Sequence, residues 1–519
     1  MENEKFDIII IGGGATGSGI ALDASSRGFK TLLLEKNDFA EGTSSRSTKL
    51  VHGGVRYLEA AVKKLDKDQF NLVKEGLKER SRLLKNAPHL CSRLTLVTPL
   101  YNWWEIPYMF AGLSLYDFVS GKRGLGRSSV VSRGKMMDTF PHIKKSGLVG
   151  GIKYYDGSFN DARLNVTLLQ TAQKYGAVCK NYHELESFIY DKKKISGVKV
   201  KDTISGENIT YNSSIVINAT GAFSDNIRKL DDKEAKKMLD LSSGIHIVLD
   251  KKYLPSNEGL MIPKTQDGRV LFILPWMGKC LVGTTDEKTT LNEHPEVSKK
   301  DIDYILEHLE IYFDLKIDKS EILSSWCGIR PLVAAPKNAS TKSIVRDHII
   351  TSSNSGLVSI IGGKWTTYRK MSEEVVDYVI PKFNLADTKC KTKKLKLIGS
   401  ENLKENIKIK TVDKDIKEYL IRMYGDKALE VTQSVEKIKR LHKEYALTNA
   451  EVVYTIKNEF VKKPLDFLVR RTTLSLIDKE ASKEILEEVL SILQKELNWD
   501  EEKIISERNE ALSILNNYI

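Results

Sequence analysis

A chain of 519 residues with 41% hydrophobic and 29% charged side chains has the composition of a globular protein, long enough for roughly two to four domains around a large buried core. Lysine and arginine outnumber aspartate and glutamate by 81 to 69, and the net charge of +12 points to an anionic partner: nucleic acid, a phosphorylated substrate or an anionic membrane surface. Five scattered cysteines, never in C-x-x-C spacing, argue against a disulfide framework or zinc site and favour a reducing compartment; no apolar run reaches the roughly 18 residues of a membrane-spanning helix.

The first element is "FDIIIIGGGATGSGIALDASSRGFKTLLLEK". It enters a strand by Phe6, which predicts no signal or transit peptide. Ile8 to Ile11 form a run suited to a strand buried on both faces of a parallel sheet. Gly12, Gly14 and Gly17 supply the G-x-G-x-x-G spacing: one glycine for the tight turn, one for close approach of backbone to a pyrophosphate, one for helix–strand packing. The helix that follows aims free N–H groups and a partial positive charge at phosphates. A second strand, Thr31 to Leu34, ends at Glu35, where a carboxylate can accept hydrogen bonds from ribose hydroxyls. Strand, glycines, helix, strand and acid in that order predict a site for an adenine dinucleotide.

Next comes the polar stretch "GTSSRSTKLVHGGVRYLE", Gly42 to Glu59, with few apolar residues before Val55. Further on, "PLYNWWEIPYMFAGLSLYDFVSGKRGLGR" (Pro99–Arg127) gathers aromatic residues ahead of Lys122, Arg123 and Arg127. That pattern suits a membrane interface, with rings at headgroup depth and cations on anionic lipid; the alternative is a core helix followed by a basic loop. "DARLNVTLLQTAQKYGAVC" predicts a helix and a strand, with Val178 placed to meet adenine through its backbone.

Two later segments choose between FAD and NAD. "SSIVINATGAFSD" is a strand stopped by small residues, Ala219 to Gly221, beneath which a dinucleotide can lie. "SGLVSIIGGKWTTYRKM" is a strand, then Gly362-Gly363, then a helix: a second anion-facing helix start, far along the chain from the first. A flavin explains both, the first helix holding the pyrophosphate and the second facing the isoalloxazine edge where negative charge develops. NAD needs only the first, so FAD is the expected cofactor. The polar stretch then wraps the pyrophosphate and ribityl chain with Thr43, Ser44, Ser45 and Ser47, lays Gly53 and Gly54 flat against the ring system, and brings Arg56 and Tyr57 to the reacting face. "VLFILPWMGKCLVGTTD" alternates and turns like antiparallel strands, "TKCKTKKLKLIGS" reads as a basic linker, and residues 401–519 show helical periodicity with few glycines.

With these motifs in place, the chain resembles the FAD-dependent, quinone-reducing sn-glycerol-3-phosphate dehydrogenases. The blocks that carry the resemblance are "IIGGGATGSGIALDASSRG", "TSSRSTKLVHGGVRYLE", "DARLN", "VINATGAFSD", "LPWMGKCLVGTTD", "CGIRPLV", "VRDHII" and "GGKWTTYRKM". It covers about residues 5 to 380. Arg46 and Thr48 depart from the pattern, standing where small residues are usual, and "SSGIHIVLD" keeps its glycine and histidine in altered surroundings.

The resemblance implies an α/β fold: a Rossmann-like FAD-binding domain (1–65, 150–240 and 345–385), an antiparallel-sheet substrate domain (66–149 and 241–344) and an all-helical C-terminal domain (401–519). It implies FAD held by Gly12, Gly14, Gly17, Glu35, Thr43, Ser44, Ser47, His52, Gly53 and Gly54, completed by Val178, Ala219, Gly221, Gly363, Lys364 and Thr366. Arg56, Tyr57, His246, Thr284, Arg330, Arg346 and Lys364 are then the groups facing glycerol 3-phosphate. Guanidinium forks suit a phosphate dianion. An arginine almost never releases its proton, whereas a neutral histidine can accept one, so His246 is expected as the base with Arg330 beside the oxygen. The resemblance further implies a quinone as electron acceptor, attachment to the inner face of the cell membrane from the cytoplasm, and room for a homodimer. A glycerol-3-phosphate oxidase using O2 is the nearest alternative. A basic FAD-containing RNA-modifying or nucleic-acid-binding protein is remoter, because the aromatic residues do not interleave with basic ones along a strand platform, and no nucleic-acid partner is expected.

Overall fold

Four consecutive isoleucines, Ile8–Ile11, form the strand around which the first layer is built. In the computed structural model, which describes residues 4–517 apart from 264, 266, 267, 335–347, 404–406, 408, 410 and 411 and the side chains of Arg56, Ala60 and Val62, this strand lies inside a six-stranded sheet. The order is Ile349–Ser352, Val358–Ile361, Val216–Asn218, Ile8–Ile11, Thr31–Leu34, Val178–Lys180, parallel throughout except for the antiparallel edge Ile349–Ser352. Because successive side chains point to opposite faces, the isoleucines divide. Ile8 and Ile10 pack with Ile20, Leu164, Leu168 and Val375 of the helices Ala15–Arg27, Asp161–Lys174 and Tyr368–Lys382. Ile9 and Ile11 pack with Phe188, Val198 and Tyr211 of a three-stranded antiparallel sheet, His183–Asp191, Lys194–Asp202 and Asn208–Asn212. Burial on both faces is why the run needs no polar alternation.

The second layer is a ten-stranded mixed sheet, antiparallel except where Gly259–Ile262 lies parallel to Cys91–Leu100. Its long strands are Leu239–Leu249 and Ile322–Val333, paired along nearly their whole length, and Cys91–Leu100 with Gly150–Phe159. The alternating stretch forms the hairpin Leu271–Trp276/Lys279–Gly283. Its two-residue turn, Met277 (φ 50°) and Gly278 (φ 80°), takes positive φ at both positions, as a tight hairpin with the native twist requires. Gly150–Phe159, expected with the FAD-binding part, and Leu50–Val51 both join this larger sheet. Their partners are remote in sequence, so no local pattern assigns them.

Beyond residue 412 the described chain is helical: Lys414–Tyr424, Asn449–Asn458, a π-helical turn Asp466–Arg471, Leu486–Leu497 and Glu501–Asn517 are its main elements. Leu474, Val489 and Leu493 pack into one core with Trp276 and Trp326 of the larger sheet. The basic segment from Thr388 to Ser400 has no helix or strand, yet Leu397 is buried in the core of the parallel sheet and the Thr392 hydroxyl donates to Asp23 at 3.1 Å. Among the described residues no helix is long and apolar enough to cross a membrane.

Candidate active site

The glycine turn is as tight as the spacing predicts. Gly12 sits at φ 106°, and a Cβ there would lie 2.7 Å from the Ala219 carbonyl oxygen; a Cβ on Gly17 would lie 1.8 Å from the Gly12 oxygen. Gly14 is the N-cap of the helix Ala15–Arg27, with no side-chain cap of its own. In its place the Ser44 Oγ accepts from Ala15 N at 2.9 Å, from the polar stretch that follows the second strand. Glu35 accepts from Gly13 N at 2.7 Å and Asn37 N at 3.1 Å, so its carboxylate stands beside the turn; burial raises its pKa against those two bonds. Ala219 N donates to Ile11 O at 2.8 Å, drawing the strand end Val216–Asn218 beneath the turn, where Gly221 takes φ 57°. Val178 is half-buried on the sheet edge beside Leu32. A helix start whose N-cap is a glycine, beside small residues that leave no space for a Cβ, fits a dinucleotide pyrophosphate.

The second glycine turn joins the first. Gly362 (φ 81°) and Gly363 (φ 107°) lead through Lys364 and the short turn Trp365–Thr367 into the helix Tyr368–Lys382. Trp365 Nε1 donates to the Ser44 carbonyl at 2.8 Å, and a Cβ on Gly363 would meet the Met371 side chain at 2.1 Å. Lys364, Thr366, His52, Gly53 and Gly54 line one small cavity. Gly53 N is held there by the Tyr116 hydroxyl at 2.8 Å, itself on Asp156, whose partner is the buried Arg80. The Tyr57 ring closes against Gly54, and Lys364 Nζ stands 4.1 Å from its centroid. Burial, with Lys364 and Arg80 nearby, lowers the His52 pKa despite Asp156.

His246, Thr284 and Arg330 form a third group on adjacent strands. Arg330 donates to Thr284 Oγ1 at 3.0 Å, to Thr285 O and Ser243 O at 3.1 Å, and meets Asp286 at 3.3 Å. A Cβ at Gly244 would lie 2.3 Å from Arg330 Nη2 and 2.6 Å from Thr284 Oγ1, so a side chain there would displace this pair. His246 is 2% exposed and stacks on Trp326, ring centroids 5.2 Å apart. Burial first, then Arg330 and Lys49, hold its pKa well below the ordinary histidine value, so the ring is neutral at working pH. The polar stretch links all three groups, passing Ser44 at the helix start, Thr48 at His246 (2.9 Å to Nε2) and His52–Gly54 at Lys364.

Not every named hydroxyl faces the cleft. Thr43 donates to Ile329 O at 2.5 Å, and Ser47 donates to Asp161 Oδ2 at 2.6 Å, while the buried Lys49 donates to Asp161 Oδ1 at 2.7 Å. Arg346 lies outside the described residues, as does the side chain of Arg56. Sequence reasoning missed Asp161, which organises the loop from the first residue of "DARLN"; a block match marks that segment but not the inward-facing role. It also missed Asp38, which accepts from Arg470 and Arg471, far away in the C-terminal helices, where nothing local signals a partner.

Comparison with known proteins agrees with this geometry. The FAD dependent oxidoreductase family matches residues 7–369, and the C-terminal domain of alpha-glycerophosphate oxidase matches residues 390–504. The mitochondrial glycerol-3-phosphate dehydrogenase of Bos taurus is 42% identical over 532 residues, 98% of this chain and 73% of that protein; the Homo sapiens one is 43% identical over 97% and 72%. The crystal structure of glycerol-3-phosphate dehydrogenase from Bacillus halodurans complexed with FAD superposes with a TM-score of 0.80 at 32% identity, covering 99% of this chain and 95% of that one. An L-alpha-glycerophosphate oxidase from Mycoplasma pneumoniae, 16% identical with a TM-score of 0.55, shares the fold. Two glycine turns built for one dinucleotide, and this likeness along nearly the whole chain, place the protein in the family of FAD-dependent glycerol-3-phosphate dehydrogenases.

Proposed function

We propose that this chain oxidises sn-glycerol 3-phosphate to dihydroxyacetone phosphate and passes the electrons to a quinone at a membrane surface. The observation that carries the reading is a neutral, buried His246 beside Arg330 and Thr284, touched through Thr48 by the same loop that reaches Lys364 and the first glycine turn. FAD, when bound, supplies the hydride acceptor. The helix start at Gly14, Ser44 and the backbone of Gly53 and Gly54 hold it, with Glu35 at the ribose end. Arg330 and Lys364 bring fixed positive charge to the phosphate and to the oxygen that becomes negative as C2–H breaks, in a site that needs no reorganisation at that moment. His246 accepts the C2 hydroxyl proton, which a guanidinium does not.

The membrane part rests on the helix Glu105–Ser120 and its approach. Trp103, Trp104 and Phe118 are 76%, 66% and 82% exposed, with Tyr108 and Phe110 on the same surface element, so these rings are not core. Large exposed rings followed by Lys122 and Arg123 match an interfacial helix on anionic lipid.

Anaerobic addition of glycerol 3-phosphate to the yellow protein should bleach the flavin, and acid should release FAD into the supernatant; unbleached flavin overturns the reading. Reoxidation by a quinone analogue faster than by O2 supports the acceptor, and the match to an oxidase C-terminal domain makes O2 the second acceptor to measure. Replacing Trp103, Trp104, Lys122 and Arg123 together should move the protein off anionic liposomes while dye-linked activity persists.

A further inference from the structure

His246 is assigned as the base, yet neither of its nitrogens is open to the cleft. The ring is 2% exposed, Trp326 covers one face, and Gly283 crowds its edge so closely that a Cβ would stand 2.3 Å from Cδ2. Among the described residues Nδ1 is buried without a hydrogen-bond partner, and Nε2 meets the Thr48 hydroxyl at 2.9 Å. Thr48 itself is only half-buried.

We propose that Thr48 relays the proton: the substrate C2 hydroxyl gives its proton to Thr48 Oγ1 while Thr48 gives its own to His246 Nε2. The inference rests on the reading of His246 as the base. The C2 O–H bond breaks as a new Thr48 O–H bond forms, and the old Thr48 O–H bond breaks as Nε2–H forms. The threonine ends unchanged, the C2–H electron pair leaves as hydride to FAD, and C2 becomes the ketone carbon. For Nε2 to accept, its lone pair must face Thr48 and the ring hydrogen must sit on Nδ1. That leaves a buried N–H without an acceptor among the described residues, and His183 Nε2 and His308 Nε2 are likewise buried without a hydrogen-bond partner; what sets His246 apart is that its other nitrogen meets a half-buried hydroxyl of the polar stretch. Burial first, then Arg330 and Lys49, keep the ring neutral at the start, so Nε2 is free to accept.

The test compares Thr48→Val, Thr48→Ser, His246→Gln and the Thr48→Val/His246→Gln pair by anaerobic stopped-flow reduction with glycerol 3-phosphate. Thr48→Val should slow reduction about 10²-fold, the scale of a lost proton-transfer group, with substrate binding nearly unchanged. Thr48→Ser should return close to the original rate, and the pair should be no slower than His246→Gln alone, as expected of residues acting as one unit. In protein labelled with 15N-histidine, the His246 Nε2 resonance should shift in Thr48→Val and return in Thr48→Ser. Should Thr48→Val fail to hold FAD, the proton inventory of the unmodified enzyme decides: two protons in flight give a curved dependence on D2O fraction, and a single transfer gives a straight line. A slow His246→Gln beside a Thr48→Val at full rate, or equal losses in Thr48→Val and Thr48→Ser, overturns the relay and keeps the base. A His246→Gln enzyme at full rate removes the base and the relay together.

Discussion

Around Asp38, where the second strand turns toward the C-terminal helices, every carboxylate oxygen has its partner. Oδ1 accepts from Arg471 at 2.8 Å and Asn181 at 3.2 Å; Oδ2 accepts from Arg471 at 2.6 Å and from Arg470. Asp466 completes the cluster with Tyr182 at 2.7 Å and Arg470 at 2.8 Å. Around His246 the opposite holds: among the described residues His246 Nδ1 and Trp326 Nε1 are both buried without a partner. Orphaned buried atoms also occur away from it, at His183 Nε2, His308 Nε2 and Arg163 Nε, so an orphan does not by itself mark function. The Asp38 cluster is scaffold, and it presses Phe39 against the glycine turn, where a Cβ on Gly13 would meet that ring at 2.4 Å. The orphans of the His246 region differ in lying beside Thr48, on the loop that also reaches Lys364.

The largest effect is expected from breaking the satisfied end. Asp38→Asn replaces the carboxylate facing the fully buried Arg471 by a neutral amide, leaving that guanidinium without its directly hydrogen-bonded counter-charge, and breaking a buried ion pair costs on the order of 3–5 kcal/mol. Urea unfolding should show a loss of that order, and FAD should dissociate more readily because Phe39 no longer braces the turn. A smaller effect is expected at the reacting end. Gly244→Ala pushes a methyl group into Arg330 and Thr284, overpacking worth about 1–3 kcal/mol, so substrate binding and flavin reduction should both fall while FAD stays bound, as read by flavin fluorescence and stopped flow.

The third is a slope rather than a loss. Burial pushes the Glu451 carboxyl up to about 8 against its bonds from Thr448 and Tyr424. Its folded value lies above the unfolded one, so the folded protein holds a proton that the unfolded chain releases. The contribution is complete below the unfolded pKa near 4.5 and is lost as pH rises toward 8. Glu451→Gln should flatten stability across that window, measured by unfolding midpoints from pH 5 to 8. An unchanged slope would mean that the carboxyl ionises freely.

The nucleotide end was legible because its signals are local: Ile8–Ile11, the three glycines and Glu35 lie within one strand–helix–strand unit, and the hairpin at Met277-Gly278 announces itself by alternation. The Arg330–Thr284 pair was legible through motif blocks and not through any periodicity. What stayed hidden is long-range pairing. Nothing near "LVRRT" tells that Arg470 and Arg471 meet Asp38, and nothing near Gly150 tells that its strand joins Cys91–Leu100. His246 stands between apolar residues in "GIHIV", where a core histidine is the default, and only the resemblance makes it the expected base; its contact with Thr48 is visible only once the strands are assembled.

The order of strands in the parallel sheet also bears on how the chain leaves the ribosome. Ile8–Ile11 pairs with Thr31–Leu34 on one side, but its other neighbour is Val216–Asn218, and Val358–Ile361 closes on that strand only later still. During synthesis the most apolar strand of the protein therefore waits with one edge open while some two hundred further residues are added. An open apolar edge is a template for wrong pairing, and contacts this distant in sequence form slowly. Nascent chains stalled before residue 216 should depend on chaperones, and those stalled beyond residue 361 much less.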